Sequence, residues 1–280
     1  MASSELQLPA PAPPLRGGLA SAAGAAALRA AKSPWLLGAA AALALVVFWR
    51  ATGSTPVAFV HLWTWGPALL HGLWANIEIS VLAVALGTAA GLVVGALSLS
   101  PRAWLRTATG CYVQVLRNAP ILVLVYFTTY VFPFEVKLVG WTFPFPDWVK
   151  VVLGLALPAS ANVAEIFRGA IQSIPGAQWE AAQSLALRRR QIFRLVVLPQ
   201  CVRRMLPPWM NLYASITMST SLASLVGVHD VVDTAQIASN TVARTDFTIL
   251  VYFTLLALFF AYCYPIARAT RALERRHALH

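Results

Sequence analysis

Charged residues are scarce in this chain of 280 residues. Asp, Glu, Lys and Arg make up 11% of the sequence, whereas hydrophobic residues make up 59%. A soluble domain carries about 25% charged residues, and a surface with so few charges would not stay in solution. The shortage of charge therefore excludes a soluble globular protein and predicts an integral membrane protein.

Cysteine and histidine are also rare, and neither forms a pattern that carries chemistry. The three cysteines, Cys111, Cys201 and Cys263, are scattered in or beside apolar segments and form no CxxC pair, so they indicate no disulfide framework. The five histidines lack metal-ligand spacing. Because His, Asp and Cys do not cluster at catalytic spacing either, we expect no metal site and no catalytic site in this chain.

Acidic residues are the scarcer charge, with 10 Asp and Glu against 21 Lys and Arg. In a soluble protein this excess would raise the question of nucleic-acid binding. Here the basic residues cluster at Arg16–Lys32, Arg188–Arg204 and Arg268–Arg276, and membrane proteins carry Lys and Arg in this way on their cytoplasmic side. We therefore expect membrane lipid, and no nucleic acid, as a partner of the chain.

A phosphate-binding loop is missing as well. Lys32-Ser33 is the only Lys followed by Ser or Thr, and Ala31 stands where that motif requires Gly. The chain is therefore not expected to hydrolyse ATP by that route.

Six apolar runs are candidates for membrane spans, since crossing ~30 Å of hydrocarbon takes roughly 17–25 helical residues. The second run is rich in small residues, and spacing of this kind lets helices approach closely. The predicted fold class is all-α, a polytopic membrane helix bundle of about six spans. The runs are Trp35–Trp49, Leu73–Leu99, Cys111–Phe132, Trp148–Ile171, Trp209–Val228 and Ile249–Ile266.

Lys and Arg are unevenly divided between the connections that join these spans. Segment Ala51–His71 contains neither, Phe134–Asp147 contains Lys137, and His229–Thr248 contains Arg244 against three aspartates. The arginines lie mainly in the other connections and after the last span. This distribution predicts that both termini lie in the cytoplasm and that three connections lie outside.

The division of the chain follows from these spans. Residues 1–33 are predicted to form a flexible cytoplasmic tail, because they are rich in Pro and Ala and lack the apolar core of a signal peptide. Residues 34–50 would form an additional span, and 51–72 a periplasmic segment that is either an interfacial helix or a loop. Residues 73–268 would form the membrane core, and 269–280 a cytoplasmic tail.

The connection between the fourth and fifth spans has the pattern of two short helices. Pro175-Gly176 is a turn signal, the alanine-rich Trp179–Leu187 favours one helix, and Arg188–Leu198 favours another. Pro199 is expected to end or kink the second helix. Pro207-Pro208 is expected to separate it from the fifth span.

The shape of residues 173–208 indicates a role beyond joining two spans. Two short helices with apolar faces and a basic rim fit a groove in a partner protein. An interfacial helix pair that its arginines hold on anionic lipid is the alternative that spacing alone leaves open. The identities of the residues favour the protein partner.

These residues resemble the EAA loop of ABC importer permeases. In that family the loop seats in a cleft of the cytoplasmic ATP-binding subunit and couples it to the membrane bundle. The resemblance implies the type I ABC importer transmembrane fold. It also implies a coupling set of eight residues: Glu180, Ala181, Ala182, Leu185, Ala186, Phe193, Leu198 and Pro199.

Three further segments are similar to the polar amino acid branch of that family, which includes histidine, glutamine, glutamate and arginine uptake systems. They are Tyr112–Pro120, Asn162–Gly169 and Ser219–Ser224, and the resemblance covers about Leu69 to Arg276. It implies a non-catalytic permease subunit of the bacterial inner membrane that binds no cofactor itself. The implied partners are an ATP-binding subunit that holds ATP and Mg²⁺, a periplasmic or surface substrate-binding protein, and a second permease subunit, identical or paralogous.

The chain departs from that branch at three places. Ala186 stands where the family usually has Gly, at the turn between the coupling helices, and a left-handed Ala there would cost on the order of 1 kcal/mol. Arg117-Asn118-Ala119-Pro120 replaces the common Arg-Gly-Thr-Pro, and Met218-Ser219 replaces a common Lys-Asp. The last two changes put the branch's usual substrates in question.

Polar residues inside the predicted spans are costly and therefore mark a candidate path for a polar amino acid or similar small polar solute. Two alternatives stay open: Glu165 and Arg168 could form a structural ion pair, and the hydroxyl groups could serve helix packing by bonding back to the main chain. Arg117 is interpreted as an interfacial anchor. The candidate path consists of Asn162, Glu165, Thr217, Ser219, Thr220 and Ser221.

A stand-alone channel or secondary transporter is the alternative function. It would require inverted halves with helices broken at mid-membrane. Neither feature is evident, and that function would leave the residues from Glu180 to Pro199 unexplained.

Overall fold

The computed structural model describes residues 50, 57–138 and 141–277. The predicted tail 1–33 lies outside these residues, and so does the predicted first span apart from Arg50. In chain order the elements are α1 (Val57–Ser98), α2 (Ala103–Asn118), α3 (Ile121–Val131), β1 (Glu135–Leu138), β2 (Trp141–Pro144), α4 (Asp147–Gln172), α5 (Gly176–Ser184), α6 (Arg189–Ile192), a π-helical turn (Phe193–Val197), α7 (Leu198–Ser219), a 3₁₀ helix (Thr220–Val226), α8 (Val231–Val242) and α9 (Thr245–His277).

The prediction of an all-α membrane bundle is confirmed, with one small hairpin as the exception. Within the described residues, α1, α4 and α9 are long and apolar enough to cross a membrane, and α2 and α3 taken together make a fourth candidate. Helix α7 covers part of the predicted fifth span and has sufficient length, 22 residues. It is not among the candidates, because polar and proline residues dilute its apolar composition.

Helix α1 joins two segments that the sequence pattern treats separately. It runs for 42 residues and includes residues 57–71, for which an interfacial helix and a loop were both open. At 1.5 Å per residue it extends about 63 Å, roughly twice the hydrocarbon thickness. Pro67 lies inside the helix, and Gly66 before it lacks the Cβ that a proline ring would meet.

Three glycines on one face of α1 bring it against α4. A Cβ on Gly87 would lie 2.7 Å from Ala159 Cβ, one on Gly91 would lie 2.5 Å from the Ser160 carbonyl oxygen, and one on Gly95 would lie 2.9 Å from the Phe167 ring. The two backbones therefore approach as closely as glycine permits, which is the packing that the small-residue spacing predicts. Beside this contact lies the main apolar core, which includes Ile79, Ala83, Val84, Val125, Val151, Leu155 and Ile216.

The predicted third span, Cys111–Phe132, is bent and is not one straight helix. The axes of α2 and α3 differ by 103°. Pro120 follows Ala119, whose backbone is extended with φ −76° and ψ 135°. A proline disfavours the helical conformation of the residue before it, so the apolar run continues while the helix does not.

The prolines near the predicted fifth span do not interrupt the helix there, contrary to the prediction. Pro207 and Pro208 lie inside α7 and do not separate it from the preceding connection. The carbonyl groups that lose their N–H donors belong to Arg203 and Arg204, both exposed residues. Water can bind there in place of the missing donors, so the helix runs on from Leu198.

A β-hairpin not predicted from the sequence precedes α4. Strands β1 and β2 pair antiparallel, with Glu135 opposite Pro144. Lys150 lies fully buried at the base of the hairpin: its Nζ donates to Asp147 Oδ1 at 3.0 Å and lies 3.8 Å from the centre of the Phe134 ring. It also donates to the Thr129 carbonyl oxygen at 3.4 Å. One lysine thus ties α3, the hairpin and α4 together.

Gly91→Ala is expected to lower the unfolding temperature of the purified chain in detergent, because its methyl group would collide with the α4 backbone at Ser160. Overpacking of this kind costs about 1–3 kcal/mol. Gly169→Ala is the matched control, since a Cβ at that helical glycine meets nothing within 4 Å. Equal melting temperatures for the Gly91 variant and wild type would contradict the close approach of α1 and α4.

Candidate functional site

The segment from Gly176 to Val197, here called the connecting segment, has a small apolar core of its own. Ala182, Ile192 and Val197 are buried in it, and Trp179 and Leu187 pack against them. The same cluster reaches the helices on either side through Ala170, Ile174 and Cys201. The segment is therefore a packed unit and not an extended loop, as the two-helix prediction requires.

The turn between its two helices is centred on Ala186. This residue has a φ of 55°, a left-handed conformation that L-residues with a Cβ adopt at a cost. The Leu187 N–H donates to the Ala182 carbonyl at 3.4 Å and the Ala186 N–H donates to the Gln183 carbonyl at 2.8 Å. These two bonds form a Schellman motif, which usually carries glycine at the left-handed position.

The second helix of the segment continues into α7. Pro199, which was expected to end or kink this helix, does not end it. The Leu198 N–H donates to the carbonyl of Phe193, five residues earlier. This π-helical spacing lies just before Pro199, which has no N–H to donate to the carbonyl of Leu195. The wider turn takes up the disruption, so the proline changes the helix locally without stopping it.

The eight residues of the predicted coupling set divide by exposure. Ala182 is buried, and Phe193 and Leu198 are half-buried. The remaining residues, Glu180, Ala181, Leu185, Ala186 and Pro199, are exposed. Leu185 is 75% exposed, an unusual value for leucine. The set therefore presents an acidic and apolar surface on a rigid base.

Polar contacts of α7 hold together the helix ends around this base. Arg204 of α7 donates from Nη1 to the carbonyl oxygen of Ser173 at 2.6 Å and to its Oγ at 2.9 Å. Ser173 directly follows α4, so the guanidinium binds a main-chain carbonyl at the end of that helix. Gln200 lies within 3.5 Å of Gln178 in α5. Arg204 therefore joins α7 to the end of α4, and Gln200 joins α7 to the connecting segment.

A cavity of about 580 Å³, here called the α2–α4 cavity, opens where these two helices meet the end of α1. Its wall contains Glu165, which accepts hydrogen bonds from Arg168 Nε at 3.2 Å and Nη2 at 2.5 Å. Arg168 also donates to Gln172 at 3.3 Å. The lining residues are Ser98, Leu99, Arg106, Thr109, Gly110, Val113, Gln114, Arg117, Asn118, Glu165, Arg168 and Gln172.

The other candidate path residues bond to the main chain of their own helices. Asn162 Nδ2 donates to the Pro158 carbonyl at 2.8 Å. Each hydroxyl group of the fifth-span set donates to a carbonyl three or four residues earlier. Thr217 and Thr220 are buried, whereas Ser219 and Ser221 are half-buried. These bonds satisfy the hydroxyls, and the structure does not bring the fifth-span residues to the α2–α4 cavity.

A buried polar junction lies outside the set of predicted path residues. Asn76 Nδ2 donates to Thr220 Oγ1 and to Asp230 Oδ2, both at 3.0 Å, and its Oδ1 accepts the Val231 N–H at 3.0 Å. Asp230 also caps α8, since its Oδ1 accepts from the Asp233 N–H. The signal was an Asn inside an apolar run and an Asp directly before a helix.

The carboxyl group of Asp230 has an altered acidity. Burial raises its pKa to about 6, and the hydrogen bonds from the Asp233 backbone and the Asn76 side chain oppose that rise. Asp230 precedes α8, outside the helices that are candidates for crossing the membrane.

Comparison with known proteins identifies the family of this chain. Residues 87–278 match the family described as the binding-protein-dependent transport system inner membrane component. The probable amino-acid ABC transporter permease protein YckA of Bacillus subtilis is 31% identical over 213 residues, which are 76% of this chain and 90% of that protein. The octopine transport system permease protein OccM of Rhizobium radiobacter is also 31% identical, over 76% of this chain and 87% of that protein.

Solved structures agree on the fold. A chain in the crystal structure of an amino acid ABC transporter with histidines superposes with a TM-score of 0.67 and 26% identity, covering 78% of this chain and 98% of that one. An inward-facing MetNI methionine ABC transporter gives a TM-score of 0.57 at 19% identity, covering 74% of this chain and 96% of that one, and this likeness concerns the fold alone.

Ala186→Gly is expected to stabilise the chain by on the order of 1 kcal/mol, because glycine adopts the left-handed conformation without the Cβ clash. The measurement is the thermal midpoint in detergent, together with hydrogen exchange at the Leu187 amide. Ala181→Gly in the adjoining helix is the matched control, since glycine inside a helix costs roughly 0.5–1 kcal/mol. If both variants lowered the midpoint equally, residue 186 would not be left-handed.

Proposed function

The chain belongs to the family of binding-protein-dependent transport system inner membrane components, and from that membership we propose that it carries a polar amino acid, or a similar small polar solute, across the bacterial inner membrane. It is a permease component of an amino-acid ABC importer and is itself non-catalytic. The energy would come from a separate subunit that binds ATP and Mg²⁺. This chain would bind no cofactor.

The connecting segment carries the proposal of coupling to that subunit. Its exposed face offers Glu180 and a leucine, Leu185, that is three-quarters exposed on a rigid helical base. An exposed apolar side chain beside a charged one suits a groove in another protein. The shared core and the Gln178–Gln200 contact would pass a pull on this face to α4 and α7.

The remaining partners follow from the same proposal. A substrate-binding protein would deliver the solute at the outer face, and a second permease subunit, identical or paralogous, would complete the path. Both termini would lie in the cytoplasm. Alternating access would then arise when the two bundles rock against each other as the ATP-binding subunits close.

Glu165 is the strongest candidate for a residue of the solute path, because it lines the α2–α4 cavity. Asn162 lies nearly one helical turn before it in α4. The hydroxyl residues Thr217, Ser219, Thr220 and Ser221 remain proposed path residues, and the half-buried ones are the stronger candidates. A stand-alone channel or secondary transporter is disfavoured, since neither would use the connecting segment.

Glu180→Lys is expected to lower ATP-driven uptake at least tenfold and to reduce copurification of the ATP-binding subunit, because the substitution reverses the charge on the docking face. Cells that make the complete importer would be tested with radiolabelled glutamine, glutamate, histidine, arginine and cystine in turn. Glu274→Lys is the matched control, because that glutamate is exposed at the far end of α9.

Immunoblotting of membranes establishes that the variants are present at equal amounts. Coupling through the connecting segment would be refuted if the Glu180 variant transported as well as wild type. The importer proposal itself would fail if the wild-type chain brought down no ATP-binding subunit and took up none of the five amino acids.

A further inference from the structure

The charges around the α2–α4 cavity do not balance. Glu165 is its acidic residue, and Arg168 binds both of that residue's carboxylate oxygens. Arg106 and Arg117 line the same cavity, and within the described residues neither has a carboxylate at ion-pair distance. Two positive charges are therefore left to face the cavity.

The arginines reach the cavity from one side of α2. Arg106, Thr109, Val113 and Arg117 follow at helical spacing and all line the cavity. Trp104 of the same helix is 66% exposed and does not line the cavity. Both arginines thus lie on one face of α2 because of their helical spacing, and α2 ends just before Pro120.

We propose that Arg106 and Arg117 bind the α-carboxylate of the transported amino acid in the α2–α4 cavity. This inference rests on the proposed function. Guanidinium groups match carboxylate geometry and form strong charge-assisted hydrogen bonds. The Glu165 carboxylate on α4, which lines the same cavity, keeps lone pairs that can accept hydrogen bonds from the solute's ammonium group. Arg117 is then a ligand residue and not an interfacial anchor.

The size and side chains of the cavity suit a small polar solute. Its volume of about 580 Å³ falls in the usual range of ligand sites. Three of its twelve lining residues, Leu99, Gly110 and Val113, have no polar side-chain atom, and the other nine do. These nine suit the charged ends of a free amino acid, and the test below includes a phosphatidylglycerol arm for a lipid headgroup as the other source of a negative charge.

The position of the cavity indicates its place in transport. It lies at the ends of α1 and α4 that precede Arg102 and the connecting segment. The distribution of Lys and Arg predicts that this side faces the cytoplasm. Binding here would hold the solute shortly before release, so the arginines would affect solute affinity separately from delivery by the outer binding protein.

The test is direct binding to the full-length chain in phosphatidylcholine nanodiscs, with no binding protein present. Labelled glutamine, glutamate, histidine, arginine and cystine are titrated singly, followed by the α-amide of the tightest binder. Arg117→Gln and Arg106→Gln should each weaken binding about tenfold or more, as expected for loss of a charged hydrogen bond. Arg102→Gln should bind within twofold of wild type, because Arg102 is exposed on the same helix end and does not line the cavity.

The amide should bind at least tenfold more weakly than the acid to the wild-type chain. Equal binding of acid and amide, or unchanged affinity in the Arg117 variant with an unchanged melting temperature, would overturn the inference. A lipid result would also overturn it. In nanodiscs that contain phosphatidylglycerol, this result would be that the lipid copurifies with the wild-type chain but not with the Arg117 variant, and that no amino acid binds.

The two proposals fail in different ways. If uptake depends on Glu180 but amino acid binding does not depend on Arg117, the carboxylate site is refuted and the importer proposal stands. If amino acid binding depends on Arg117 but no ATP-driven uptake occurs, the carboxylate site stands and the importer proposal is refuted.

Discussion

A polar group inside hydrocarbon has no water to bind, and this constraint accounts for much of the structure. Helices satisfy the main chain internally, and the side chains must find partners of their own. Within the described residues, no buried side-chain nitrogen or oxygen lacks a hydrogen-bond partner. Asn76 uses its carbonyl oxygen and its amide group in this way, and Lys150 is held by a carboxylate, a carbonyl and an aromatic ring.

The same constraint separates what the sequence could predict from what it could not. A close helix contact of α1 was predictable, because Gly87, Gly91 and Gly95 leave one helix face without side chains, whereas the identity of α4 as the partner was not. The left-handed conformation of Ala186 could be inferred only from the resemblance, because the related family usually has glycine at this position. Both features depend on short-range patterns, which a sequence displays directly.

Proline effects and the hairpin were harder to predict, since they depend on what surrounds them. Pro120 bends its helix by 103°, whereas Pro207-Pro208 and Pro199 leave theirs continuous. The difference lies in whether the preceding residue stays helical and whether the freed carbonyls can find other partners. Lys150 and Phe134 lie far enough apart in the sequence that no periodic pattern links them. The α2–α4 cavity likewise needs three helices in place before its charges can be compared.

The exposure of Leu185 has a consequence for the strength of the proposed docking. Burying a leucine side chain is worth about 1.5–3 kcal/mol, and Leu185 is 75% exposed. A subunit that covered this side chain would gain much of that free energy. Because about 1.4 kcal/mol is a tenfold change in affinity, this one leucine would be worth roughly one to two powers of ten in the affinity of the two subunits for each other.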